Sequence, residues 1–183
     1  MGIIKQLLHN RDMQQKLEQR RDKMFRVACS WCHDSHLADD LVQQALVKAL
    51  QNLGSLRSIE VLDAWLYRIL SNCWKDYLRS QRENIDIDHA GLVGESSLED
   101  SHHQGQIVDR VRQAIRALPD AQRQVITLVD LAGLTYKEVS EVLEVPIGTV
   151  MSRVCRARQS LRTSLVEFQQ VDNKTEPRLR RIK

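Results

Sequence analysis

Along most of the chain apolar residues recur every three or four positions, the spacing of a helix with one buried face. Met24, Phe25, Ala28, Trp31 and Cys32 make the first stripe. It ends at His33-Asp34-Ser35, where Asp and Ser favour a turn or the N-cap of a following helix. A second helix starts near His36, carries Asp39 and Asp40 in its first turn, and runs through Leu41, Val42, Ala45, Leu46 and Leu50 to a stop near Gly54. Its polar face holds Asp40, Gln43, Gln44 and Lys48. The loop from Gly54 to Val61 leads to a third helix with Trp65, Leu66, Ile69, Leu70, Cys73 and Tyr77 inward. Further on, Ile107, Val108, Val111, Ile115 and Leu118 restart the pattern. Pro119 marks the first turn of the next helix, and Val125, Ile126, Leu128 and Val129 carry it to Gly133. Residues 1–15 carry little pattern and predict no more than a frayed helical start. No segment alternates as a strand would and no internal repeat is visible, so the periodicity predicts an all-α fold.

The last stretch is the most informative. Thr135 with Glu138 three residues on forms a capping box, which starts a short helix near Tyr136 with Val139, Val142 and Leu143 on its apolar face. Pro146 cannot sit inside a helix, so the chain must break around Glu144 to Pro146. Beyond the break Val150, Val154, Ala157, Leu161 and Leu165 form one stripe and predict a second helix. At about 100° per residue the opposite side carries Gly148, Ser152, Cys155, Arg156 and Gln159, with Thr149 and Met151 nearer its edges. A capped helix, a proline-marked turn and an arginine-rich second helix predict a helix-turn-helix that reads a DNA major groove. There Arg156 can bond bidentately to guanine and Ser152 can reach a base edge or phosphate. Arg153, Arg158 and Arg162 are placed for the flanking phosphates.

Charge changes the picture by its placement. The formal net charge is only +3, so a nucleic-acid partner is argued from local clusters. One cluster lies on the third helix, where Arg68, Lys75, Arg79 and Arg82 accompany Asn72, Tyr67 and Trp74. This mixes phosphate-binding cations with amides and rings that can stack on bases. From Asn84 to Gln106 five acidic residues, Asp86, Asp88, Glu95, Glu99 and Asp100, appear without a single Lys or Arg, among Gly, Ser and His. Such a segment predicts a flexible acidic linker. The expected organisation is therefore two small helical domains, 1–83 and 107–168, joined by a linker at 84–106 and followed by a basic tail at 169–183.

Nothing resembles a secretory signal, because Lys5, Gln6, His9, Asn10 and Arg11 interrupt and follow the apolar residues near the start. No apolar run approaches the roughly 20 residues that span a bilayer. These features predict a cytoplasmic protein without membrane insertion, in which the four cysteines stay reduced.

Four groups of residues resemble the extracytoplasmic-function sigma factors of bacterial RNA polymerase. They are Asp39-Asp40-Leu41-Val42-Gln43-Gln44, then Ala64-Trp65-Leu66-Tyr67-Arg68-Ile69 with Asn72 and Asp76-Tyr77-Leu78-Arg79. Ala117-Leu118-Pro119 with Arg123 follows, and last come Gly148-Thr149-Val150, Ser152-Arg153 and Arg156-Ala157-Arg158. Their order, with an acidic linker in between, spans about residues 20–165. The resemblance implies a non-enzymatic promoter-specificity subunit of regions two and four. It implies that Asp39, Asp40, Gln43, Gln44 and Lys48 bind the clamp of the largest polymerase subunit. Arg57, Ser58, Arg68, Asn72, Lys75 and Arg79 would take the melted minus-10 strand with a flipped base. Thr149, Met151, Ser152, Arg153, Cys155, Arg156 and Arg158 would meet the minus-35 duplex. It also implies an anti-sigma factor as partner. The chain departs from the family at three places. Glu144 stands where Gly is common, a difference of about 1 kcal/mol if the turn needs a positive φ. Met151 replaces a frequent basic residue, and Gln44 a frequent acidic one.

Two alternatives stay open on the residues alone. A free-standing helix-turn-helix regulator would bind duplex DNA without polymerase. Cys29-Ser30-Trp31-Cys32-His33 also matches the haem-attachment pattern, with His36 nearby. Covalent haem goes with export, and Cys32 falls on an apolar stripe, so a sigma factor that senses zinc or redox state through Cys29 and Cys32 is the stronger form of that alternative. No P-loop, GxSxG elbow or HExxH is present, and the sequence calls for no cofactor and no metal.

Overall fold

The computed structural model describes residues 2–85 and 103–175, with side chains described over 12–83 and 108–166. Among these residues there are seven α-helices and no strand. The first group is α1 (Gly2–Cys32), α2 (Ser35–Gln51) and α3 (Leu62–Ile85). The second is α4 (His103–Arg116), α5 (Asp120–Ile126), α6 (Tyr136–Leu143) and α7 (Ile147–Thr175). Most of the expected linker, 86–102, lies outside the described residues, as do tail residues 176–183; the linker's two ends belong to α3 and α4, and α7 continues past 168.

The helical start is longer than the sequence pattern suggested. Met13 and Leu17 are buried and extend the stripe of Met24, Val27, Ala28 and Trp31 toward the N-terminus, so α1 has no frayed stretch up to residue 15. Its exit is set by His33, in the left-handed region at φ 61, and by Asp34, whose carboxylate accepts from the amides of His36 (2.7 Å) and Leu37 (3.0 Å). Because Asp34 is the cap, Asp39 and Asp40 fall beyond the first turn of α2 and do not serve its dipole as expected. Asp39 instead accepts from Arg21 on α1 at 2.5 Å.

On α3 the buried arc is wider than one stripe and rotated from the expected one. Leu62, Leu66, Leu70 and Cys73 are buried, and so are Tyr67, Ser71 and Trp74, whereas Trp65, Ile69 and Tyr77 are only half-buried. Tyr67 and Trp74 therefore do not offer their rings to solvent, and Trp74 stacks on Tyr77 with centroids 5.6 Å apart. The cause is that α3 packs against α1 and α2 on one side and α6 on another. A helix flanked by several neighbours hides more than a third of its circumference.

In the second group Arg123 ties two helices together. Its buried guanidinium donates to the carbonyls of Arg116 (2.8 Å) and Leu118 (3.3 Å) at the end of α4 and pairs with Asp120. This satisfies carbonyls that a helix end leaves open. α5 passes into a π-helical turn, Thr127–Leu131, and Gly133 at φ 76 turns the chain toward α6. The Thr135–Glu138 capping box forms as predicted, Glu144 ends α6 at φ 59 and ψ 43, and Val150, Val154 and Ala157 of α7 are buried.

The two groups share one hydrophobic core. α1 packs on α4, α5 and the π-helical turn, and α3 packs on α6. At the junction the Trp31 indole N–H donates to the Thr127 hydroxyl at 2.9 Å, and that hydroxyl donates to the Arg123 carbonyl at 2.8 Å. All three members of this chain are buried, so each donor has its acceptor without help from water.

Candidate nucleic-acid interface

The basic face of α3 lines an open cavity. Arg68, Asn72, Lys75 and Arg79 converge there with Trp65, and the end of α2 with the short 3-10 turn after it adds Lys48, Asn52 and Ser55. Helix geometry explains the grouping, since residues 65, 68, 72, 75 and 79 are spaced by three and four and share a side. Trp65, expected in the core, is thus the ring at this site, while Tyr67 and Trp74 are not. Arg57 and Ser58 are exposed in the loop before α3 and do not line the cavity. Sequence reasoning placed Lys48 with the α2 face and missed Asn52 and Ser55. Lys48 sits 3.5 Å from Asp76 of α3, a pairing that only the α2–α3 packing reveals.

Two acidic groups enter this basic cavity: Asp76 of α3 itself, beside Lys48 and Arg79, and Glu144 from the second group of helices. The Arg68 guanidinium donates to Glu144 Oε1 at 3.0 Å and the Lys75 ammonium to Oε2 at 3.4 Å, both reaching across to the turn before α7. Lys75 and then Arg68 hold the Glu144 carboxyl below its ordinary range.

Along α7 the expected reading face is largely open. Met151 (52% exposed), Cys155, Arg156 and Arg158 are exposed, and Thr149, Ser152 and Arg153 are half-buried. A Cβ on Gly148 would meet nothing, so the fold itself does not require a glycine there. The Ser152 hydroxyl donates to the Thr149 carbonyl (3.0 Å) within its own helix. Arg158 is engaged by Asp130 at 2.8 Å, and that partner raises its already high pKa. Arg156 makes no hydrogen bond or ion pair among the described residues.

On α2, Asp40 and Gln44 line a shallow groove with Leu37, Leu41, Asp76 and Tyr77, and Gln43 is exposed beside them. Asp39 is held by Arg21 and by the Gln43 amide at 2.7 Å.

The chain matches the family description "Sigma-70 region 2" over residues 17–84 and "Sigma-70, region 4" over residues 109–161. It is 34% identical over 154 residues to the ECF RNA polymerase sigma-E factor of Escherichia coli K12, covering 78% of this chain and 75% of that one. The chain belongs to the extracytoplasmic-function sigma factors. The RNA polymerase sigma-H factor of Pseudomonas aeruginosa is 33% identical to this sigma factor over 156 residues, 78% of this chain and 80% of that one. Its fold is similar to that of the sigma factor RpoE solved in complex with the anti-sigma factor NepR from Bartonella quintana. The TM-score is 0.77 at 27% identity, over 84% of this chain and 96% of that one. No helix among the described residues is long and apolar enough to cross a membrane.

In this sigma factor the CxxCH stretch ends α1 against α4 and α5. Among the described residues no three His, Cys, Asp or Glu side chains converge as a metal site. Burial, and the neighbouring Cys32, push the Cys29 thiol up to about 11, and burial raises Cys32 as well. Burial, with Arg123 and Arg116 beside it, pushes His33 down to about 4. These cysteines are therefore protonated and slow nucleophiles at neutral pH. At pH 8 iodoacetamide should label exposed Cys155 first, half-buried Cys29 and Cys32 much more slowly, and buried Cys73 only on unfolding, as peptide mass mapping would show. Faster labelling of Cys29 would restore the redox alternative. The folded chain holds the Cys29 proton more tightly than the unfolded chain, so this group's contribution to stability falls as pH rises from about 9 toward 11.

Proposed function

We propose that this sigma factor binds core RNA polymerase through Asp40, Gln43, Gln44 and Lys48 of α2, with Asp39 positioned by Arg21. It captures the melted minus-10 strand on α3 and reads the minus-35 duplex with α7. The observation that carries this reading is the convergence of Arg68, Asn72, Lys75 and Arg79 with Trp65 in one open cavity. Cations there suit phosphates, Asn72 can hydrogen-bond a base edge, and stacking on a ring contributes about 1–3 kcal/mol per base. That offsets the few kcal/mol needed to flip a base from the duplex. Arg57 and Ser58 would touch the strand from the adjoining loop.

On α7, Arg156 is free to bond guanine bidentately, and exposed Met151 can meet a thymine methyl where a basic residue would meet phosphate. Ser152, Thr149 and Cys155 let the backbone approach closely, and Arg153 and Arg158 serve phosphates, Arg158 after leaving Asp130. The sigma factor works in the cytoplasm without catalysing a reaction itself, and a protein of the anti-sigma class binds it, as the anti-sigma factor NepR is in complex with RpoE in the similar solved structure.

Holoenzyme reconstituted with core polymerase should initiate at discrete promoters on genomic DNA, mapped by sequencing the transcript starts. Replacing Arg68 and Lys75 by Ala should lower the log–log salt slope of single-strand binding by about 1.4, two contacts at roughly 0.7 each. Failure to bind core polymerase, with tight duplex binding by the chain alone, would sink the proposal in favour of a free-standing regulator.

A further inference from the structure

Glu144 occupies an unusual position for a glutamate. Its backbone lies in the left-handed region at φ 59, where a glycine would sit without strain, and its carboxylate reaches away from its own helix into the cavity of α3. There it meets Arg68 and Lys75 at 3.0 and 3.4 Å, two of the cations assigned above to the DNA strand. We propose that Glu144 is an intramolecular latch: its carboxylate takes the place of a nucleic-acid phosphate on Arg68 and Lys75 and so closes the single-strand cavity from the turn between α6 and α7. The proposal rests on the reading of that cavity as the minus-10 site.

Three features fit a latch better than a structural bond. All three side chains are substantially exposed, at 53% for Arg68, 40% for Lys75 and 57% for Glu144, so the pairs are weak, reversible and screened by salt. The carboxylate is delivered by the end of α6, which packs directly on α3, so the shared core holds Glu144 within reach of both cations whether or not the pairs are formed. The latch also acts on one nucleic-acid face only. Arg156, Met151 and Cys155 on α7 stay exposed while the α3 cavity is occupied. In the closed form the chain can still meet duplex but cannot take single strand with its full set of cations. Its apparent affinity for the strand is therefore reduced by the fraction of molecules that are open.

The test uses the full chain and a fluorescein-labelled, random-sequence single-stranded oligonucleotide followed by anisotropy, with small-angle scattering of the same samples. Glu144→Gln and Glu144→Gly should both bind about threefold more tightly than the wild type at low salt, the scale of two exposed ion pairs. Their radius of gyration should stay that of the wild type, because the shared core keeps the two groups together, and the gain in affinity should shrink as salt is raised. Glu141→Gln makes the same change of charge one turn earlier on α6 and should leave both readouts unchanged. If Glu141→Gln tightens binding equally, bulk charge explains the effect and the latch is overturned. If Arg68→Ala and Lys75→Ala weaken binding while Glu144→Gln changes nothing, the latch fails and the reading of the cavity survives. If Arg68→Ala and Lys75→Ala leave binding untouched, that reading fails and the latch falls with it.

Discussion

Trp31→Ala is expected to lower the stability of the whole described molecule by about 3–5 kcal/mol, the range for emptying a large aromatic site in a packed core. At 2–4 °C per kcal/mol for a chain of this size, that is a drop of roughly 6–20 °C in melting temperature, readable by circular dichroism. The indole is 2% exposed and its N–H is bonded to Thr127, so the substitution removes both packing and the hydrogen bond that joins the two groups of helices. Thr127→Val separates the two contributions. It keeps the volume but leaves a buried indole N–H without its acceptor, at a cost of about 1–3 kcal/mol. Melting should remain a single transition in the wild type. Two resolved transitions, with Trp31→Ala moving only the earlier one, would mean that the shared core does not bind the halves into one cooperative unit.

Arg156→Ala is expected to abolish discrimination at one base pair of the upstream element, a loss of about 1–3 kcal/mol against the preferred base and little against the others. The reasoning is that Arg156 is exposed in the second turn of the reading face with no partner among the described residues, whereas Arg158 begins tied to Asp130 and exposed Arg162 lies further along the helix, toward the flanking phosphates. Arg158→Ala should instead weaken all sequences alike and reduce the salt dependence. The measurement is reconstituted transcription from a promoter set carrying every single substitution in the upstream element. Uniform weakening by Arg156→Ala would reassign that residue to the phosphates.

What could be read from the sequence divides by range of interaction. The helix-turn-helix was legible in detail because its determinants are local: the Thr135–Glu138 box, Pro146, and the stripe of Val150, Val154 and Ala157 act within a turn or two of themselves. The existence and order of the helices followed from the same periodicity. The burial of Tyr67 and Trp74 and the partial exposure of Trp65 did not, because the side of α3 that is covered depends on where α6 lies, and no local pattern encodes that. Met13 and Leu17 were overlooked for a different reason. They are two isolated apolar residues among polar ones, and they gain meaning only as the continuation of a stripe that is dense from Met24 onward. The candidate single-strand site was legible as a basic face, but Glu144 within it was visible only as a departure at a turn. Its ion pairs join residues 76 and 69 positions apart.

The bond between Trp31 and Thr127 has a consequence for how the chain is made. The two residues are 96 positions apart. At about 5–20 residues per second, a ribosome adds Thr127 some 5–20 s after Trp31. α1, α2 and α3 are therefore synthesised and can pack well before the helices that cover them exist. During that interval the face of α1 around Trp31 and the cations of α3 are open to water. During synthesis the second half can close only after Thr127 has been added, and until then the newborn N-terminal half meets its surroundings uncovered.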